Sequence, residues 1–150
     1  MINDTITQKI GEALKAHDEI RLSTLRLLSS AFNYEFIAKQ HKLSEEEELV
    51  VVRREAKKRK EATRQFQEGG RPELAEKEEK ELVLIKEYLP EEMSEEKVRE
   101  LADEAIKETG ALSAKETGKV MAALMPKLKG AADGALVGQI VREKLSGNNE

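Results

Sequence analysis

The chain has 150 residues, a net charge of −4, 37% charged and 3% aromatic residues, and no cysteine. That length holds one domain or two small ones around an aliphatic core. The lack of cysteine excludes disulfides, thiolate metal sites and cysteine nucleophiles, and no apolar run approaches the ~20 residues that span a membrane.

The elements read in order as helices. Abundant Ala, Leu, Glu and Lys with three prolines predict an all-α chain. Met1-Ile2-Asn3-Asp4 has no basic-then-apolar signal pattern, so a cytoplasmic address is expected. Thr5-x-x-Gln8 reads as a capping box, followed by Ile6, Ile10 and Leu14 at helical spacing to about His17. Asp18 is placed to cap a second helix that carries Leu25, Leu28, Phe32 and Phe36 and reaches Lys39. Ser44-x-x-Glu47 opens a long third helix with Leu49, Val52, Ala56, Thr63 and Phe66 on one side, ended by Gly69-Gly70. Glu45–Glu48 at its start read as a solvated acidic face that suits the helix dipole. Pro72 fits the first turn of a fourth helix with Leu74, Leu82, Ile85 and Leu89 on or near its buried side. Glu78-Glu79 on this helix also read as solvated.

Tyr88-Leu89-Pro90-Glu91-Glu92-Met93-Ser94 reads as a helix end, a connector and a new N-cap. The expectation is two small multihelical domains: four helices in residues 1–92 and a three-helix bundle in residues 93–150. In the second, Val98, Leu101, Ala105 and Ile106 mark a helix stopped by Gly110. Ser113-x-x-Glu116 opens another, with Val120, Ala123 and Leu124, which should stop at Pro126. Leu136, Val137, Ile140, Val141 and Leu145 mark the last, and the tail 146–150 should fray.

Two basic stretches stand out. The first is the corner around Lys119, Lys127, Lys129, Gly130, Asp133 and Gly134. Residues 115–144 carry six basic and three acidic residues, so a local positive region exists on an acidic protein. Gly130 permits a left-handed turn, and Asp133 precedes an apolar helix whose first N–H groups, with two exposed lysines, suit an RNA phosphate. The second is the run from Arg53 to Arg64, in which Arg53, Lys57, Lys60 and Arg64 share one helix face. The reading favoured for that face is a solvated one, whose charges pair with Glu55 and Glu61 or with acids on the next helix. Arg59 drifts towards the apolar side, as an interhelical partner would.

The stretch Gly118-Lys119-Val120-Met121-Ala122-Ala123-Leu124-Met125-Pro126-Lys127-Leu128-Lys129-Gly130-Ala131-Ala132-Asp133-Gly134 resembles the signature of the GatB/YqeY family. So do Arg21-Leu22-Ser23-Thr24-Leu25-Arg26-Leu27-Leu28-Ser29-Ser30-Ala31 and the region from Lys57-Lys58-Arg59-Lys60 through Phe66, Gly70-Arg71 and Leu74 to Tyr88-Leu89-Pro90. The similarity runs along nearly the whole chain and implies a free-standing YqeY-like protein. It extends to the tail of the B subunit of the aspartyl/glutamyl-tRNA amidotransferase. The resemblance implies two helical domains, tRNA and amidotransferase or other tRNA-handling proteins as partners, and a link to carbon–nitrogen ligase chemistry with glutamine as nitrogen donor. One departure is Ala131-Ala132, where relatives often carry a basic residue first.

Catalytic residues do not emerge. His17 and His41 fall at predicted helix ends, with no serine or acid arranged around them as a triad. No His-Glu-x-x-His, Walker-type loop or dinucleotide-binding glycine loop occurs, so neither cofactor nor metal is expected. The reading is a non-catalytic helical adaptor that binds tRNA. The alternatives are an accessory part of an amidotransferase reaction acting only in a complex, and a purely protein-binding module. Nothing in the pattern sets an oligomeric state.

Overall fold

The computed structural model describes residues 1–147, and among these the fold is all-helical, with no strand. Contacts divide the chain into two compact units, Met1–Leu89 and Pro90–Glu150.

The first unit holds α1 (Ile2–Lys15), α2 (Glu19–Lys39), α3 (Glu45–Glu68) and α4 (Pro72–Lys86). Ile6, Leu25, Leu28, Phe32, Val51, Val52 and Ile85 form its core. α1 begins at Ile2, three residues before the expected Thr5 cap. Thr5 Oγ1 donates to the Ile2 carbonyl instead, and Gln8 donates to Glu12. The helix start is set from outside α1. The Glu48 carboxylate, only 1% exposed, accepts from the N–H groups of Ile2 (2.8 Å) and Asn3 (3.4 Å). Glu48 is therefore not part of a solvated face. It satisfies two donors at a helix N-terminus, where negative charge is favoured.

Asp18 caps α2 by accepting from the Arg21 N–H, and His17 takes the left-handed conformation that ends α1. Leu25, Leu28 and Phe32 are buried, but the expected continuation to Phe36 is not: the core of α2 ends one turn earlier. Leu14 is likewise exposed. On α3 the Ser44–Glu47 capping box forms as expected, whereas Val51 replaces Leu49 as a fully buried position. Gly69 and Gly70 end the helix, and Pro72 starts α4.

Between α3 and α4 lies a charged cluster. Arg59, whose side chain is 14% exposed, turns inward as its position on the helix suggested. Its Nε sits 3.0 Å from Glu81 and 3.5 Å from Glu78, and its Nη2 lies 3.8 Å from Glu55. The Nε–H is directed at neither carboxylate as a proper hydrogen bond. Glu78, expected in solvent, belongs to this cluster, while Glu79 is exposed.

The second unit holds α5 (Glu95–Thr109), a 3₁₀ turn (Ala114–Glu116), α6 (Thr117–Leu128) and α7 (Gly134–Gly147). Val98, Ala102, Ala105, Val120, Leu124, Leu128, Val137, Ile140, Val141 and Leu145 form its core. Ser94 caps α5 by accepting from the Lys97 N–H, and Gly110 ends it at φ 67°. Pro126 does not stop α6, which runs on to Leu128. The ring deletes a single donor and excludes only the carbonyl one turn back. Burial of Leu128 in the core outweighs that loss. The turn comes later, at Lys129 and Gly130, with φ of 49° and 74°. Ser146 and Gly147, expected to fray, complete the last turn of α7. Residues 148–150 of the expected fraying tail lie outside the described residues.

The Arg59 cluster yields a pH-dependent expectation. Burial, then the charge of Glu78, raises the Glu81 carboxyl pKa, against the pull of Arg59 and Lys77. A raised carboxyl holds its proton more tightly folded than unfolded. Ionised Glu81 therefore costs stability as pH rises through its folded pKa, and the cost vanishes below about pH 4. Glu81→Gln is expected to stabilise the protein at pH 7 in urea unfolding, with the difference closing as pH falls. Arg59→Met, which leaves the half-buried Glu78 and buried Glu81 carboxylates without their nearest cation, is expected to cost about 3–5 kcal/mol.

Candidate nucleic-acid interface

The α6–α7 corner is built from a left-handed turn and a capped helix start. Leu128 anchors the end of α6 in the core, so Lys129 and Gly130 must reverse the chain. The Ala131 N–H donates to the Leu128 carbonyl, and the Ala131 carbonyl accepts from Met93 (2.8 Å), which pins the far side of the turn. Ala131 and Ala132 are buried. Asp133 caps α7 as expected: Oδ1 accepts from the Ala135 N–H at 3.1 Å, and the Asp133 carbonyl accepts from Val137.

The lysines of this corner do not converge. Lys127 is half-buried rather than exposed, and its ammonium lies 2.6 Å from Glu108 of α5. Lys129 is exposed, in a backbone conformation unfavourable for a side chain with a Cβ. Lys119 sits in the first turn of α6, about 12 Å along the axis from Lys127. Its nearest described charge effect is on Glu116, held below the usual carboxylate range chiefly by the Leu112 and Ser113 N–H groups. Gly134 begins α7, where the Asp133 carboxylate already lies against the positive helix end.

The α3 face is arranged differently. Arg53, Lys57, Lys60 and Arg64 recur at four, three and four residues on a flank about a quarter turn round the helix from Val52, Ala56 and Thr63. They extend for roughly 16 Å along the helix. Lys57 and Lys60 are exposed and have no ion-pair partner among the described residues. Arg64 pairs with Glu61 at 2.8 Å in an exposed contact of the kind worth little in water. The other cations of the run leave this stripe: Arg54 meets Glu35 at 3.2 Å and Lys58 meets Glu55 at 3.1 Å. The expected pairing with Glu55 and Glu61 thus occurs: it engages Arg64 of the stripe, and Lys57 and Lys60 have no part in it among the described residues.

A cleft of about 460 Å³ in the first unit joins two stretches singled out in the sequence but given no role there. Arg21 of α2 meets Glu87 beyond α4 through both terminal nitrogens, at 3.1 and 3.3 Å. Lys9 of α1 lies 4.5 Å from the centre of the Tyr88 ring, a cation–π contact. Arg21 also lies 3.4 Å from Asp18, so carboxylates engage its guanidinium on two sides. The local signal was present in Arg21 and Tyr88, but their proximity is a tertiary fact.

The histidines sit near helix ends, where His41 Nε2 lies 3.5 Å from the Glu47 carboxylate. His17 occupies the α1–α2 turn, and His41 Nδ1 lies 2.9 Å from the Lys42 carbonyl. Among the described residues no three His, Asp or Glu side chains gather as metal ligands, and no helix is long and apolar enough to cross a membrane.

Comparison with known proteins gives a match to the family described as Yqey-like protein over residues 3–145. An uncharacterised protein of Schizosaccharomyces pombe is 32% identical over 89 residues, which covers 59% of this chain and 72% of that protein.

The corner offers a stability test that separates charge from shape. Lys129→Gly removes a positive charge and relieves the left-handed strain, so thermal unfolding is expected at an equal or higher temperature. Asp133→Ala removes the α7 cap and is expected to cost about 1 kcal/mol in the same measurement.

Proposed function

The chain belongs to the YqeY-like protein family, and from that premise we propose that it is a non-catalytic RNA-binding protein that holds structured RNA of the tRNA class by its phosphates. The observation that carries this reading is the α3 stripe. Lys57 and Lys60, whose ammonium groups have no ion-pair partner among the described residues, lie between two guanidinium groups on one helix face. Fixed spacing on a helix suits a regularly charged backbone, and release of its counterions supplies affinity. No aromatic residue interleaves the stripe, so it fits phosphate tracking rather than base stacking. The resemblance of the motifs to the amidotransferase B-subunit tail supports the tRNA class.

The α6–α7 corner takes the secondary part in this reading. Lys129 is the exposed cation at its turn, with Lys119 further along α6, because Glu108 engages Lys127 and Asp133 sits against the helix end. The protein's acidic balance keeps nonspecific polyanion binding low, and the salt dependence of the contact comes from the counterions its phosphate-facing cations release.

The test is binding of unfractionated tRNA, followed by fluorescence anisotropy across a salt series. Lys57→Glu with Lys60→Glu is expected to weaken binding and to lower the log–log salt slope by about two, one for each lost contact. Circular dichroism should stay unchanged, since both side chains are exposed. Lys127→Glu with Lys129→Glu is expected to have the smaller effect. A larger effect at 127/129 would move the interface to the corner. No binding by the unmodified protein at low salt would refute direct RNA recognition.

A further inference from the structure

The outward side of α2 carries a pattern that neither the core nor the RNA reading uses. Leu27, Tyr34 and Ile37 are 42%, 78% and 65% exposed. With Ser23 and Ser30 they recur at four, three, four and three residues: 23, 27, 30, 34, 37. That is the 3.5-residue repeat of a helix–helix seam, on the side opposite the buried Leu25, Leu28 and Phe32. α2 is thus apolar on two opposed sides, which a helix covered on one side alone has no reason to be.

We propose that this seam is the contact surface for a second copy of the chain, with the two α2 helices antiparallel about a two-fold axis at Ser30. The residue order itself argues for a second copy. In an antiparallel pair centred on Ser30, position i lies level with position 60 − i, and its partner is the residue within one position of that level on the matching flank. Two-fold symmetry keeps each lateral flank of one helix against the same flank of the other. Leu27 then meets Tyr34 of the other copy on one flank. Arg26 meets Asn33 on the opposite flank, where Arg26 can donate to the amide oxygen. Both residues are exposed. Ile37 packs over Ser23, and the two Ser30 side chains face each other at the centre. Their small size allows the close approach of a shallow-angle crossing. Each large residue faces a smaller one or its apolar complement, and no like charges are opposed.

The apolar area is modest beside the ~800 Å² per partner of a standard interface. The dimer is therefore weak and concentration-dependent. α3 presents its basic stripe independently of this seam, so failure of self-association leaves the RNA reading standing, and the reverse also holds.

Sedimentation equilibrium of the full chain over a wide concentration range tests the proposal. The expected result is a monomer–dimer equilibrium that Tyr34→Glu with Ile37→Glu abolishes without changing helical content. Asn33→Arg is expected to weaken the dimer by opposing Arg26, and adding Arg26→Glu to it should restore association. The register is read by cross-linking, which the cysteine-free chain makes clean. Under mild oxidation Ser30→Cys should form a disulfide-linked dimer. Ser23→Cys should not, because its two copies lie roughly 21 Å apart along the pair. A monomer at every concentration overturns the proposal and leaves the seam for another partner. Cross-linking at 23 equal to that at 30 overturns the antiparallel register.

Discussion

Arg59 is the member of the α3 basic run that faces inward, and much of the first unit depends on that. Its guanidinium lies among Glu55, Glu78 and Glu81, carboxylates from two helices that would otherwise repel one another at close range. Arg59 does not fully offset burial and the charge of Glu78, which raise the Glu81 pKa. The cluster nevertheless fixes the rotation of α3 against α4. With Arg59 inward, helical geometry turns Arg53, Lys57, Lys60 and Arg64 away from the core. Interior electrostatics and exterior charge are thus two consequences of one helix orientation.

The amino-acid order disclosed the fold well where local chemistry decides. The Ser44 capping box, the Asp18 and Ser94 caps, Gly69-Gly70, Gly110 and Pro72 act within a few residues, and each ends or begins a helix where expected. The inward turn of Arg59 also followed from helical phase alone. Distant partners defeated local reading elsewhere. Glu48 looked like one of four equivalent acids, yet it caps a helix 46 residues away in sequence. Thr5 had the capping spacing but lost to that carboxylate. Pro126 was weighed by its missing donor, without the burial of Leu128 that carries the helix past it.

The candidate site was legible as residue types and only partly as geometry. The Asp133 cap and the reversal at Gly130 were readable from the spacing. The Lys127–Glu108 contact was not, because it joins α6 to α5 across 19 residues of sequence. Conversely, the α3 stripe was discounted as a solvated charged face, since sequence alone cannot show which acids reach which bases. Resolved pairing engages Arg54, Lys58 and Arg59 elsewhere around α3 and leaves Lys57 and Lys60 on the stripe with no ion-pair partner among the described residues. A positive surface is defined by the charges left over after the internal pairs have formed.

The account turns on whether that leftover charge meets RNA. Reductive methylation of lysines with and without saturating tRNA, read by mass spectrometry, tests it directly. The account predicts that Lys57 and Lys60 lose reactivity in the complex, while Lys58, on the flank of α3 beside Glu55, and Lys127, held by Glu108, change little. Unaltered reactivity of Lys57 and Lys60 under conditions where tRNA is bound would contradict it.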